Sequence, residues 1–137
     1  MTINPYIFFN GNCEEAFKFY ASLLGGKIDA MMPHGGTPAE AHVPAEWKDK
    51  IIHASMTIGS DVLMASDAPP GHYNRPQGFS VSLQVKSVAE AERVFNALSE
   101  GGTVNMALGK TFFSDSFGML VDRFGIPWMV NCAPGQS

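Results

Sequence analysis

The chain has 137 residues, 45% hydrophobic and 16% charged, and carries a net charge of −4. That length suits one domain able to bury roughly two-thirds of its unfolded surface without metals or disulfides, and the composition excludes disorder. A basic run is missing and so is any apolar stretch near the roughly 20 residues of a membrane span, which excludes nucleic acid and membrane as expected partners.

Met1-Thr2-Ile3-Asn4-Pro5 lacks the charged and apolar regions of a signal peptide, so a cytoplasmic location is expected. Cys13 and Cys132 lie far apart with no CxxC partner and read as reduced, buried small hydrophobes. Charged residues fall below the about 25% of an average globular chain, which leaves room for a partner interface.

Tyr6-Ile7-Phe8-Phe9 is a β-rich run. Asn12, with Glu15 three residues on, predicts a helix start. Cys13, Ala16, Phe17, Tyr20, Leu23 and Leu24 follow at helical spacing, and Gly25-Gly26 ends that helix. Lys27 to Met32 reads as a strand and Pro33 to Lys50 as a long loop or flap. Ile51–Ile58 and Val62–Ser66 then form a hairpin around Gly59-Ser60. A second loop covers Asp67 to Gln77.

The pattern then restarts. Phe79, Val81, Leu83 and Val85 alternate with Ser80, Ser82 and Gln84, as a half-buried strand does. Ser87-Val88-Ala89-Glu90 is a capping box, and Ala91, Val94, Phe95 and Leu98 give a second helical stripe closed by Gly101-Gly102. Thr103–Leu108 is a strand, and Phe112–Val121 with Ile126–Asn131 is a hairpin around Asp122-Arg123-Phe124-Gly125. Strand–helix–strand–strand–strand therefore occurs twice. The fold class is α+β: two tandem βαβββ modules, about 3–67 and about 78–132, within a single domain 1–137. They are expected to form an open, curved mixed sheet with a cleft, one helix backing each sheet.

A paired βαβββ pattern resembles the vicinal oxygen chelate superfamily of glyoxalase I, bleomycin-resistance proteins and extradiol dioxygenases. The closer resemblance is to its bacterial PhnB-like group, often labelled "3-demethylubiquinone-9 3-methyltransferase-like". It is carried by Pro5–Phe9, Ala16–Tyr20, His53–Gly59, Met64–Asp67 and the specific stretch Phe117–Asn131. The methyltransferase label does not fit the residues. A Rossmann-type enzyme needs a glycine-rich strand-to-helix turn, and these glycines sit at helix ends and hairpin turns.

The resemblance implies a metal site made by inward positions on four strands. Carried onto this chain they are Pro5, Met64, Ser80 and Met129. Proline has no donor, a serine hydroxyl is weak, and thioether sulfur suits copper(I) rather than zinc or manganese. No metal and no cofactor are expected, and the glyoxalase I mechanism is removed.

Strand parity picks the face. Around Gly59-Ser60, Ser55 opposes Met64 and His53 opposes Ser66. Around the last turn, Gly118 is expected beside Met129 and Ser116 beside Asn131, with Phe117, Met119, Trp128 and Val130 on the helix side. Ligand contact is expected at Phe9, His53, Met64, Ser80, Ser82 and Met129. Phe9 enters because an even number of residues separates it from Pro5. His34, His42 and His72 read as solvated loop residues, with His34 or His42 as a flap contact the alternative, Asp67 as a cap for the loop that follows it, and Trp47 as either a flap anchor or a cover for the cleft.

The leading expectation is a small-molecule-binding protein without the usual metal ligands, assembled as a homodimer. The runner-up is a lyase, isomerase or hydrolase acting on a small polar metabolite, with a phosphonate-related ligand suggested by the group's association with phosphonate genes. No catalytic residue is assigned.

Overall fold

The computed structural model describes residues 1–135. The chain divides into two compact units, residues 1–74 and residues 75 onward. The first holds β1 (Tyr6–Phe9), α1 (Cys13–Leu24), β2 (Lys27–Pro33), β3 (Ile51–Ile58) and β4 (Asp61–Asp67). The second holds β5 (Val81–Val85), α2 (Val88–Ser99), β6 (Thr103–Gly109), β7 (Ser116–Val121) and β8 (Pro127–Cys132).

Each unit carries a four-stranded mixed sheet, in the orders β1-β4-β3-β2 and β5-β8-β7-β6. β1 runs parallel to β4 and β5 to β8, while the other neighbours are antiparallel. The strand after each helix thus reaches the far edge, and the two that follow fill the middle. This is the glyoxalase-like arrangement the repeat implied. Neither sheet is the all-parallel array of a Rossmann fold.

Helical spacing sets what each helix buries. Cys13, Ala16, Phe17 and Tyr20 of α1 are buried, as are Ala91, Val94, Phe95 and Leu98 of α2. In the first unit, Phe9, Phe17 and Tyr20 form an aromatic cluster with centroids 6.3–6.4 Å apart. In the second, Trp128, Leu120 and Val130 of the sheet are almost wholly buried. Each such side chain contributes about 1.5–3 kcal/mol on leaving water.

Ser87 caps α2 as expected, its Oγ accepting from the Glu90 N–H at 3.0 Å, while Glu90 Oε1 accepts from the Lys86 N–H. Asn12 does not cap α1 with its side chain. Asp67 does that work from the end of β4. Its Oδ1 accepts from the N–H groups of Gly11 and Cys13, and its Oδ2 from the N–H of Ile51. The Asp67 carboxylate therefore ties the helix start to β3 instead of capping the loop after β4.

Asp122 plays the matching part in the second unit. Its Oδ1 accepts from Phe124 and Ile126 N–H and its Oδ2 from Trp128 Nε1, all within 2.8–2.9 Å. The loop it closes is one residue longer than the expected Asp122–Gly125 turn, because Asp122 N–H also donates to the Ile126 carbonyl. Gly125, at φ 89°, takes the left-handed position that such a bulged turn needs. Val121 therefore pairs with Pro127 and Met119 with Met129.

That one-residue slip turns the expected faces of β7 over. Gly118 pairs with Val130 on the helix side, and Phe117 and Met119 point to the other face. β7 also begins at Ser116 rather than Phe112, and the 33–50 segment contains two short 3-10 turns, Pro38–His42 and Ala45–Trp47.

The paired glycines after each helix have different tasks. Gly25 and Gly101 take positive φ. Gly26 and Gly102 press against the sheet: a β-carbon on Gly26 would fall 2.5 Å from Met56 Sδ, and one on Gly102 only 2.2 Å from the Val121 carbonyl oxygen. A backbone oxygen cannot swing aside as a methionine can. Gly102→Ala should therefore cost about 1–3 kcal/mol in urea unfolding. Gly109→Ala, where nothing lies within 4 Å of the added carbon, should leave stability within about 0.5 kcal/mol. Equal losses would show that Gly102 is not held by the sheet.

Candidate functional site

Each sheet has one face under its helix and one open face. In the first unit the open face follows from register. Tyr6 pairs with Met64 and Phe8 with Ser66 across β1 and β4, and Ser55 pairs with Met64 across β3 and β4. His53, two residues from Ser55, shares that side and pairs with Met32 of β2.

The Tyr6 hydroxyl and His53 Nδ1 share a hydrogen bond of 3.2 Å, and the two rings stack with centroids 5.8 Å apart. Phe8 adds a third ring, 5.2 Å from Tyr6. Phe8 is 53% exposed and Tyr6 37%, while His53 and Met64 are half-buried.

Phe9 is not on this face. It is fully buried, pairs with Asp67 and packs on Phe17 and Tyr20 of α1. The expectation counted parity from Pro5, which lies outside β1 and meets β4 only through its carbonyl, which accepts from the Met64 N–H at 3.1 Å. Tyr6 is the residue beside Met64, so Tyr6 and Phe8 take the places given to Pro5 and Phe9.

The 33–50 segment is pinned to its own unit. His34 is buried, and its Nδ1 donates to the Lys50 carbonyl at 2.8 Å, so it is not a solvated loop histidine. Trp47 anchors the segment, its ring edge 3.2 Å from where a β-carbon on Gly11 would stand.

In the second unit the open face carries the row Ser82, Met129, Met119 and Met106, and beside it Gln84, Asn131 and Phe117. Asn131 Nδ2 donates to Gln84 Oε1 at 2.8 Å, and Gln84 Nε2 donates to Ser82 Oγ at 3.1 Å. One end of this face is a concavity of about 610 Å³, lined among others by Arg75, Phe79, Ser80, Asn105, Met119 and Met129. Of the expected ligand contacts, it brings together Ser80 and Met129. Ser82 stands farther along the strand, exposed and bonded to Gln84.

Sequence reasoning missed Met119 through the slipped turn. It missed Asn105 because the β6 register shifts between Val104 and Met106, and Arg75 because it lies in a segment without periodicity.

The donors at the positions carried over from the metal-dependent superfamily are the Met64 and Met129 thioethers and the Ser80 hydroxyl. These do not fit a hard or borderline divalent ion. Among the described residues, no group of three His, Cys, Asp or Glu side chains is placed to hold a metal. Cys13 and Cys132 are both buried thiols. Burial raises the Cys13 thiol far above its ordinary pKa, and the Asp67 and Glu14 charges add to the effect. Burial also raises Cys132, with help from Asp115 and Glu90. Both thiols are thus held in their un-nucleophilic form.

The family model of the Glyoxalase/Bleomycin resistance protein/Dioxygenase superfamily matches residues 2–130. The chain is 34% identical to Protein YjdN of Escherichia coli (strain K12), covering 99% of this chain and 98% of that protein. It is similar to the crystal structure of protein PA1353 from Pseudomonas aeruginosa at 56% identity and a TM-score of 0.89, covering 97% and 98% of the two chains. A PhnB protein from Bacillus cereus, which also bears the name 3-demethylubiquinone-9 3-methyltransferase, is 27% identical with a TM-score of 0.83, covering 97% and 100%. The chain belongs to the glyoxalase/bleomycin resistance protein/dioxygenase superfamily.

The corrected parity of β1 can be measured directly. Phe9→Ala should cost about 3–5 kcal/mol in denaturant unfolding, since it empties the contact with Phe17 and Tyr20. Phe8→Ala should cost under about 1 kcal/mol. A larger loss at Phe8 than at Phe9 would restore the original assignment.

Proposed function

We propose that this superfamily member is a small-molecule-binding protein that works without the divalent metal of its metal-dependent relatives. The observation that carries the reading is the concavity in the second unit, of about 610 Å³. Its size lies in the range of small-molecule pockets, and a thioether and aromatic lining meets a few convergent polar groups there. Methionine adapts to the shape of what it touches, while Ser80 and Asn105 supply donors and acceptors. Ser80, Ser82 and Met129 on this sheet, and His53 and Met64 with Tyr6 and Phe8 on the other, are the positions offered for ligand contact.

A methyltransferase activity gains no support from the chain's own residues. The β1–α1 connection holds a single glycine, Gly11, and its N–H is taken by Asp67. A second reading, a lyase, isomerase or hydrolase acting on a small polar metabolite, is favoured by one feature. The Tyr6 hydroxyl and the His53 imidazole share a hydrogen bond on an open face, an arrangement suited to relaying a proton.

The proposal includes a homodimer within a reducing, cytoplasmic setting. Two buried thiols support the setting. The exposed edge strand β6, with Val104 and Met106 about half exposed, and the exposed Phe112 and Phe113 support self-association.

Native mass spectrometry of the protein purified from its own cells should show a dimer carrying a small organic molecule and no stoichiometric zinc, nickel, iron or manganese. A stoichiometric divalent ion would overturn the metal-free reading, and a monomer at micromolar concentration the dimer. Ser80→Leu should lower ligand occupancy at least about tenfold with little change in Tm, because it faces the concavity. Val81→Asp should lower Tm far more than Ser80→Leu, because Val81 is half-buried beside buried Trp128 on the helix side. Equal large losses of Tm would place Ser80 in the core.

A further inference from the structure

Arg75, Pro76, Gln77, Gly78, Phe79 and Ser80 run along one side of the second-unit concavity, and Asn105 and Met119 stand among the residues lining the rest of it. Among the described residues, Arg75 is the only charged one in that lining, and none of the chain's thirteen Asp and Glu lines it. Among the described residues Arg75 makes no hydrogen bond, ion pair or ring contact, whereas Lys18 pairs with Glu14 and Arg123 lies over the Phe124 ring. A guanidinium left unpaired at a concavity, in a chain of net charge −4, is a local reversal of the prevailing field.

On this basis we propose that the concavity takes a monoanionic carboxylate with an apolar or aromatic body. The proposal rests on the small-molecule reading above and names the ligand class for the same site. The planar guanidinium fork matches the two oxygens of a carboxylate. Phe79, Met119, Val121, Pro127 and Met129 provide the apolar surface for the body. The Asn105 amide and Ser80 hydroxyl can donate to the oxygens that Arg75 leaves open. A dianion such as a phosphonate would call for a second cation, and the lining has none.

The test uses the whole protein, labelled with 15N, and three probes: indole-3-acetate, its neutral isostere indole-3-acetamide, and the dianion-forming benzylphosphonate. Indole-3-acetate should shift the amides of Arg75, Gln77 to Ser80 and Asn105 saturably, and bind at least about tenfold more tightly than either other probe. R75Q should remove that preference without changing Tm, since the Arg75 side chain is exposed and unpartnered. N105D, which places an acid in the exposed β6 lining, should weaken the carboxylate tenfold or more and spare the amide.

Equal affinity for acetate and acetamide would overturn the carboxylate assignment and leave the small-molecule reading standing. Tighter binding of benzylphosphonate would overturn the monoanion. Saturable shifts confined to other residues, or no shifts with any probe, would remove this site as the anion pocket. A small molecule found by native mass spectrometry would still support the broader reading in that case.

Discussion

Three donors converge on the buried carboxylate of Asp122: the N–H groups of Phe124 and Ile126 and the indole N–H of Trp128. Unpairing one buried donor costs about 1–3 kcal/mol, so a rival turn of a different length would forfeit several such terms together. The five-residue closure therefore fixes the β7–β8 register, and register decides which side chains face α2. With it, Gly118 lies under Phe95, where a β-carbon would come within 2.5 Å of the ring. Met119 and Met129 fall on the open face. A turn one residue shorter would send Gly118 outward and drive Met119 into α2. The register that puts Met119 and Met129 on the open face thus rests on the Asp122 carboxylate in the turn beyond them.

Asp67 constrains the first unit in a different way. It joins the backbone of the β1–α1 connection to the first residue of β3, across 54 to 56 residues of chain on one side and 16 on the other. Its position at the end of β4 lets one buried group organise three elements. Sequence logic expects a polar residue at a strand end to serve the loop beside it, because local hydrogen bonds are the ones a linear reading can see. Asn12 was the visible cap for the same reason, and the long-range partner took its place.

The architecture was legible because it is written in periodicity. The stripes Cys13-Ala16-Phe17-Tyr20 and Ala91-Val94-Phe95-Leu98, the doubled glycines and the alternation of Phe79 to Val85 each report a local geometry. The hairpin at Gly59-Ser60 was legible down to its pairs, since a two-residue turn leaves one register. The site was less legible. His53, Met64, Ser80, Ser82 and Met129 stand on open faces, and Phe9 does not. The error came from setting the parity on Pro5, which is outside the strand, whereas Tyr6 is the residue that pairs with Met64. Arg75 and Asn105 lay beyond any pattern, one in an aperiodic segment and the other at a bulge.

The two units also show which positions are free to carry chemistry. Register makes Tyr6, Phe8, Ser55, Met64 and Ser66 the counterparts of Ser82, Gln84, Met119, Met129 and Asn131. On the helix side Ile7 answers Leu83, Phe9 answers Val85 and Ala65 answers Val130, all apolar, while the hydrogen-bonded Asp67 stands where the second unit has Cys132. On the open side they diverge, from an aromatic and imidazole set in one unit to amides, hydroxyl and thioethers in the other. Core positions must fill volume under a helix, and a polar group there would need a partner. Exposed open-face positions such as Phe8, Ser82 and Gln84 carry no such demand, so exchanging them usually costs within about 0.5 kcal/mol, whereas Ser66 and Phe117 on the same faces are buried. One backbone therefore supports two unlike surfaces, because the side chains that the helices leave uncovered differ between the units.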